Sequence, residues 1–309
     1  MLNKKVIIIV LSKNSRHLLP DCLSGIERQS YPKKFYKTIV VDEKSIDSSV
    51  GYVKDNFPEI KVIVNNAKLG DCAAFNQGYF FAQKYNSEYL VLLRAEVSLN
   101  SFWLGDMISL LEKKKKAGIA GSKILDKKNK TLQSLGGTVN VAGISYPNRI
   151  TKSQTPFKVD YAPIGACVIK MSAIKKTGLF DEKFFDLGDV DLGWRMRLAG
   201  YEILIDPNSV AHCHLNEGKD KAKYFHLEKN RIMMLLQNYR IITLILLLPL
   251  TIFIEFCMFI DSFAHGYFWQ KKKSYLWIIS RLVFILGRRI NVQFNTRKIG
   301  DLQIIRVKS

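Results

Sequence analysis

An α/β domain followed by a helical C-terminal region is the fold this sequence predicts, on three observations. Short runs of Val, Ile, Leu and Tyr alternate with helix-like segments through the first two-thirds of the chain, as in a sheet wrapped by helices. Polar residues stand just past the ends of those runs, where open α/β sheets meet their ligands. Past about Tyr224 the chain turns amphipathic, then apolar, then basic.

Val6–Leu11 is apolar but only about strand-long, too short for the apolar region of a signal peptide, and reads as a buried parallel strand. Thr38–Val41, Lys61–Val64 and Tyr89–Leu93 are the next strands, separated by helical patterns at Arg16–Gln29, Ser48–Asn56 and Cys72–Lys84. The strand ends carry Ser12-Lys13-Asn14, Asp42-Glu43, Asn65-Asn66 and Arg94-Ala95-Glu96, so Asp42 and Glu96 stand where a ligand would be met. Further on, Asp189-Val190-Asp191-Leu192-Gly193-Trp194-Arg195 opens a helical run marked by Leu192, Arg195, Met196, Leu198 and Ala199. Acids at a helix N-terminus are held ionised by the dipole, which suits a proton acceptor and equally suits a pair of caps. A strand-like Ser209–Ala211 then leads to His212 and His214.

With 47 Lys and Arg against 27 Asp and Glu, the chain suits phosphate-bearing partners: nucleic acid, anionic lipid or nucleotide diphosphates. No nucleic-acid recognition motif accompanies the charge, and a nucleic-acid partner is not expected. The five scattered cysteines have no metal-site spacing and read as reduced thiols facing the cytosol. The absence of G-x-G-x-x-G and of a Walker A loop removes most dinucleotide enzymes and P-loop NTPases.

Tyr224–Tyr239 reads as an amphipathic helix leading into Ile241–Ile260, which is almost wholly apolar and just long enough for a hydrocarbon core of about 30 Å. Pro249 and Glu255 interrupt it, and Tyr275–Leu286 is too short to span and carries Arg281. A single crossing would put Lys271-Lys272-Lys273 and the basic tail across the membrane from the rest of the chain, against the positive-inside tendency. The preferred reading is a re-entrant or interface-lying hairpin whose tail touches anionic headgroups, ahead of a single span and of a buried soluble helix. Residues 1–224 and 225–309 are thus the expected division, with the protein at the cytoplasmic face of the cell membrane.

Four segments occur in a telling order. They are Ile7-Ile8-Ile9-Val10-Leu11-Ser12-Lys13-Asn14-Ser15; Val40-Val41-Asp42-Glu43 through Asp47-Ser48-Ser49-Val50; Asn65-Asn66-Ala67-Lys68-Leu69-Gly70 running to Asn76-Gln77-Gly78; and Gly165-Ala166-Cys167 with Gly178-Leu179-Phe180-Asp181-Glu182 and the Asp189 motif. The order resembles the family 2 inverting glycosyltransferases of GT-A fold, notably the non-processive, rhamnosyltransferase-like branch with membrane-associated C-terminal helices. That resemblance implies a mixed, mostly parallel sheet flanked by helices, a nucleotide-sugar donor and a lipid-linked or surface-glycan acceptor.

It also implies roles. Asp42, with Asp47 nearby and Ser12 and Asn14 at the neighbouring strand end, would meet the base and ribose. Leu69, Gly70 and Asn76 would begin a helix whose Ala73, Ala74 and Gly78 allow the donor close; Asp71 is either a nucleotide contact or a first-turn acid. Asp189 would be the general base, Asp191 a loop or acceptor-pocket acid, and Trp194 an acceptor wall or a packing residue. Magnesium or manganese would sit on Glu96, with His212 as a further ligand. Two departures stand out: Arg94-Ala95-Glu96 replaces the usual Asn-Pro-Asp or Asp-x-Asp, and Gly188 stands where an acid is usual. Arg94 would instead supply positive charge directly to the diphosphate. No Gln-x-x-Arg-Trp follows the motif, which implies one sugar per encounter. The rival expectation is a non-catalytic relative that binds nucleotide sugar or partners at the membrane.

Overall fold

The computed structural model describes residues 3–150, 153–214 and 221–305. The first half runs β1 (Val6–Ser12), α1 (Leu19–Glu27), β2 (Tyr36–Asp42), α2 (Ser49–Asn56), β3 (Lys61–Val64), α3 (Asp71–Gln83), β4 (Tyr89–Arg94), β5 (Val97–Leu99) and α4 (Trp103–Lys113). Then come β6 (Ala117–Asp126), β7 (Leu132–Ser134), β8 (Gly137–Val139), β9 (Ser145–Pro147), β10 (Phe157–Val159), β11 (Ala166–Lys170), α5 (Met171–Thr177), α6 (Gly188–Leu198) and β12 (Glu202–Cys213). The rest is helical: α7 (Lys221–Asn238), α8 (Ile241–Leu246), α9 (Leu248–Ala264), α10 (Phe268–Ser280), α11 (Leu282–Ile290), a π-helical turn at Asn291–Thr296, and α12 (Asp301–Ile305).

The main sheet has the order β10-β12-β6-β11-β4-β1-β2-β3. Its β4-β1-β2-β3 half is parallel, and β11 enters antiparallel between β4 and β6, so the parallel character expected of the sheet belongs chiefly to this half. The register sets Ser12 beside Asp42 and Leu11 beside Arg94, gathering the strand ends along one edge. Alternation along β1 explains the layering. Ile7, Ile9 and Leu11 join a core with α3, α5, α6 and α7, while Val6, Ile8 and Val10 join a core with α1 and α4 on the other face. Gly78 is a packing position in this layer: a Cβ there would lie 2.5 Å from the Ile9 side chain, so its smallness serves helix–sheet contact and brings no donor closer.

The first core also takes in Met233, Met234, Tyr239, Ile278, Ile285 and Val292. The composition change near Tyr224 is therefore not a break in packing. The apolar stretch 241–260 is broken after Leu246, and Pro249 opens α9 in its first turn. At 17 residues α9 is about 26 Å long, and no helix among the described residues is long and apolar enough to cross a membrane. The single-span alternative is corrected accordingly. Glu255 points inward to a buried ionic cluster: Lys271 Nζ donates to Glu255 at 2.9 Å and to Glu228, Arg231 pairs with both acids, and Tyr275 Oη donates to Glu255 at 2.6 Å.

Candidate active site

The parallel strands end over a cleft of about 370 Å³, lined by Asp71, Arg94, Ile164, Gly165, Phe185 and the stretch 186–189, among others. Each wall has a local cause. Leu187 adopts left-handed backbone (φ 60°) immediately before α6, which turns Gly188 and Asp189 into the first turn of that helix. Asp189 Oδ1 accepts the Val190 N–H at 2.9 Å. Burial pushes the Asp189 carboxyl up to about 6, against the pull of backbone groups of Val190, Asp189 and Ile164, and Asp186 adds to the rise. A carboxylate with that value is half protonated just below neutrality, the range that suits a proton acceptor.

The loop before α6 is braced from behind by α7. Lys229 Nζ donates to the Lys183 carbonyl at 2.6 Å, and Asn230 Nδ2 to the Asp186 carbonyl at 2.6 Å. Burial brings the Lys229 ammonium down to about 8, opposed by Asp181. Phe185 from this loop lies over Gly70, where a Cβ would meet its ring at 3.0 Å, and stacks on His226 with centroids 4.8 Å apart. Gly188 fills the closest contact of all: a Cβ there would stand 2.2 Å from Cys72 Sγ. That is why no side chain occupies the position where an acid is usual. Gly193 has the same role deeper in α6, 2.5 Å from the Asp160 carbonyl by the same construction.

On the other strand ends, the half-exposed Arg94 side chain leaves β4 with its stem along Gly165 and its guanidinium 3.5 Å from Asp71 and 3.9 Å from Glu96. Asp42 is buried and accepts Ser45 N–H at 2.8 Å and Ser45 Oγ–H at 2.6 Å. Asp47 accepts Arg16 N–H at 2.9 Å and binds Ser49; burial opposes its ionisation, but these donors hold the carboxyl below its ordinary value. Asn14 accepts Ile46 N–H at 3.0 Å. Ser12 is fully buried, and its hydroxyl has no partner among the described residues. Glu43, a neighbour to which the sequence reading gave no role, accepts Asn65 Nδ2 at 2.7 Å and Gly70 N–H at 2.8 Å and so fixes the entry to α3. Leu69, just before it, is exposed.

Of the residues expected at the site, Asp71, Arg94 and Asp189 line the cleft. Four others do not line it. Trp194 is buried edge-on against Tyr239, 4.9 Å between centroids, and is a packing residue. Asp191 is buried in an ion pair with Arg195, whose Nε donates to Asp191 Oδ2 at 2.8 Å, and its Oδ1 accepts Asn238 Nδ2 at 3.1 Å. Asn76 is buried and exchanges hydrogen bonds with the Phe180 backbone at 3.0 and 3.1 Å, bracing the loop instead of the donor. His212 does not line the cleft: successive β12 residues face opposite ways, and it is Cys213 that does. Burial, with Lys130 and Lys127, lowers the His212 imidazole.

The donor set for a divalent cation is correspondingly poor. No group of three His, Cys, Asp or Glu suited to a metal occurs among the described residues. Glu96 already has a guanidinium at 3.9 Å. Unit charges about 4 Å apart near a protein surface interact by about 4 kcal/mol, so an ion on Glu96 would have to displace the Arg94 guanidinium from that carboxylate. With His212 outside the cleft, the Glu96 and His212 pair does not fit magnesium or manganese as the resemblance implied.

The family model Glycosyl transferase family 2 matches residues 7–178, more than half of the chain. The dolichyl N-acetyl-alpha-D-glucosaminyl phosphate 3-beta-D-2,3-diacetamido-2,3-dideoxy-beta-D-glucuronosyltransferase of Methanococcus voltae is 25% identical over 229 residues, covering 69% of this chain and 68% of that protein. Among solved structures, GalNAc-T7 with UDP, GalNAc and Mn2+ superposes with a TM-score of 0.60 at 14% identity over 75% of this chain. The match spans only 47% of the GalNAc-T7 chain. S. aureus TarS 1–349 with UDP gives 0.55 at 15% identity, covering 76% of this chain and 66% of that one. Both likenesses are likenesses of fold.

Proposed function

Since the chain belongs to glycosyl transferase family 2, we propose that it moves one sugar from a nucleotide-sugar donor to a hydroxyl of a lipid-linked or surface-glycan acceptor, with inversion. The observation that carries the proposal is Asp189, a half-buried carboxylate raised to about 6 on the wall of the strand-end cleft. In this reading Asp189 takes the proton of the acceptor hydroxyl as its oxygen attacks the anomeric carbon. The bond from that carbon to the diphosphate breaks on the opposite face, and the nucleoside diphosphate leaves with the electron pair. A positioned base of this kind contributes about 10²–10⁴-fold. The nucleoside end would lie over Ser12, Asn14, Asp42, Asp47, Leu69 and Gly70, along the edge where the β1 and β2 ends meet. Transfer of one sugar per encounter agrees with the rhamnosyltransferase-like branch. No step of the reaction is assigned to a divalent cation.

The acceptor side of the proposal draws on the C-terminal helices. Ile252, Phe253, Phe256, Ile260 and Phe263 of α9 are exposed, whereas Glu255 turns inward. An outward apolar face beside the basic tail suits an anionic membrane surface on the cytoplasmic side. The Methanococcus voltae relative, by its name, acts on a dolichyl phosphate-linked sugar, in keeping with such an acceptor.

The test is to incubate the protein with a panel of uridine, guanosine and thymidine diphosphosugars and lipid-phosphate acceptors, and to follow nucleoside diphosphate release. Release with one donor that needs the acceptor is expected. If no donor turns over with any acceptor, the rival reading of a nucleotide-sugar-binding relative, favoured by the poor metal donor set, takes its place.

A further inference from the structure

We propose that Arg94 stands in for the divalent cation: its guanidinium binds the donor diphosphate, and transfer proceeds without a metal. The inference rests on the glycosyltransferase reading and concerns how the leaving group is held. Arg94 is the one basic side chain among the described residues that line the cleft. It is built into place. Gly165 leaves room for its stem, since a Cβ there would be 3.2 Å from Arg94 Cδ, and the β4 backbone beneath it is bonded to Gly165 at 3.3 Å. Asp71 and Glu96 flank the guanidinium at 3.5 and 3.9 Å, beyond the usual reach of a charge-assisted hydrogen bond. They keep it oriented without consuming its donors.

A guanidinium with loose partners, on a half-exposed side chain, can exchange them for two phosphate oxygens in its planar fork. As the bond from the anomeric carbon to the diphosphate breaks and the hydroxyl proton passes to Asp189, negative charge grows on the departing phosphate. A fixed cation there strengthens its contact in the transition state, the part a metal otherwise plays. Arg94 and Glu96 then divide the work of the replaced motif: Glu96 positions, and Arg94 carries the charge.

The experiment is calorimetric titration of the full chain with uridine, guanosine and thymidine diphosphates, in EDTA and then in manganese or magnesium, followed by donor turnover in the same buffers. The expected result is equal affinity for the preferred diphosphate with and without metal, and turnover that survives EDTA. Arg94→Ala should weaken that binding by about 10- to 150-fold, the range of a charge-assisted contact, with no rescue by metal. Arg94→Lys, which keeps the charge and loses the fork, should fall between, and thermal melts of both variants should match the parent. Binding or turnover that is lost in EDTA and restored by manganese overturns the role of Arg94 and leaves the glycosyltransferase reading standing. Wild-type affinity in a folded Arg94→Ala overturns it too. No diphosphate binding and no turnover in any buffer sinks both readings.

Discussion

Two half-buried carboxylates, one in each half of the molecule, end up at opposite extremes. Asp189 sits in the strand-end cleft with backbone donors and no ion pair among the described residues; desolvation wins and its carboxyl rises to about 6. Glu255 sits between α7, α9 and α10. Burial pushes it up as well, but Arg231, then hydrogen bonds from Tyr275, Arg231 and Lys271, hold it down at about 2. Burial alone therefore does not set ionisation; the partners decide it. A carboxylate left short of partners is available for chemistry, and one fully paired is a fastener.

The largest expected effect separates the two roles. Asp189→Asn should lower kcat by about 10²–10⁴-fold while nucleoside diphosphate binding persists. In the parent, kcat/KM should fall as pH drops through about 6, because the base must be ionised to accept a proton. Stability runs the other way for this group. A raised carboxyl contributes stability that is fully present below its ordinary 3.8 and lost as pH rises through about 6. Asp189→Asn should therefore melt no lower than the parent at pH 7, and higher by at most about 3 kcal/mol of stability, the equivalent of about two pKa units. Glu255, held low, contributes stability that is present above 4.5 and lost as pH falls through about 2. Urea unfolding across pH 2–8 in the parent and the variant reads both slopes; a variant with normal turnover would remove Asp189 from the chemistry.

Second in size is the fastener. Lys271→Ala leaves Glu228 and Glu255 facing each other with Arg231 alone, which should cost about 3–5 kcal/mol, as breaking buried pairs does. Urea midpoints measure the loss. Turnover per folded molecule should be unchanged, and a kcat that falls in step with Asp189→Asn would erase the distinction between the two sites.

The same contrast explains what was legible in the sequence. The strands of the parallel half announce themselves because β1, β2 and β4 are buried on both faces and read as continuous apolar runs. The strands from β5 to β10 outside β6 are three residues long, too short for any period to register. Asp189 and Arg94 could be found because each stands at an element boundary. Asn76 and His212 face away from the cleft, and Asp191 and Trp194 take the packing side of their alternatives, because sequence position does not tell which side of an element faces the cleft. Glu255 was read as an interruption, since its partners Arg231 and Lys271 are 24 and 16 residues away. The Gly188–Cys72 contact joins residues over a hundred positions apart, and no local pattern signals it.

That contact gives the third prediction. Gly188→Ala places a methyl group 2.2 Å from Cys72 Sγ and should cost about 1–3 kcal/mol by overpacking, read as a lower urea midpoint. Cys72→Ala in the same chain should recover most of the loss, because it removes the sulfur that clashes. If the two changes are simply additive, the cleft wall is looser than the close contact implies.

The smallest effect on the fold is expected on the outer face of α9, where the usual arrangement is inverted. Charge and small polar groups (Glu255, Thr251, Ser262) turn toward the protein, while Ile252, Phe256 and Phe263 point outward at 60%, 62% and 75% exposure. Changing all three to Gln removes side chains each worth about 1.5–3 kcal/mol when fully transferred from water. In solution they are already wet, so the urea midpoint should move by no more than about 0.5 kcal/mol per site. Flotation with vesicles containing anionic phospholipid should fall sharply in the same variant, and turnover of a short, water-soluble acceptor should be retained. A variant that unfolds would mean that this face is packed against protein in solution. A variant that floats as well as the parent would shift the membrane contact to the basic residues of α10 and α11, leaving the outward apolar face without a lipid partner.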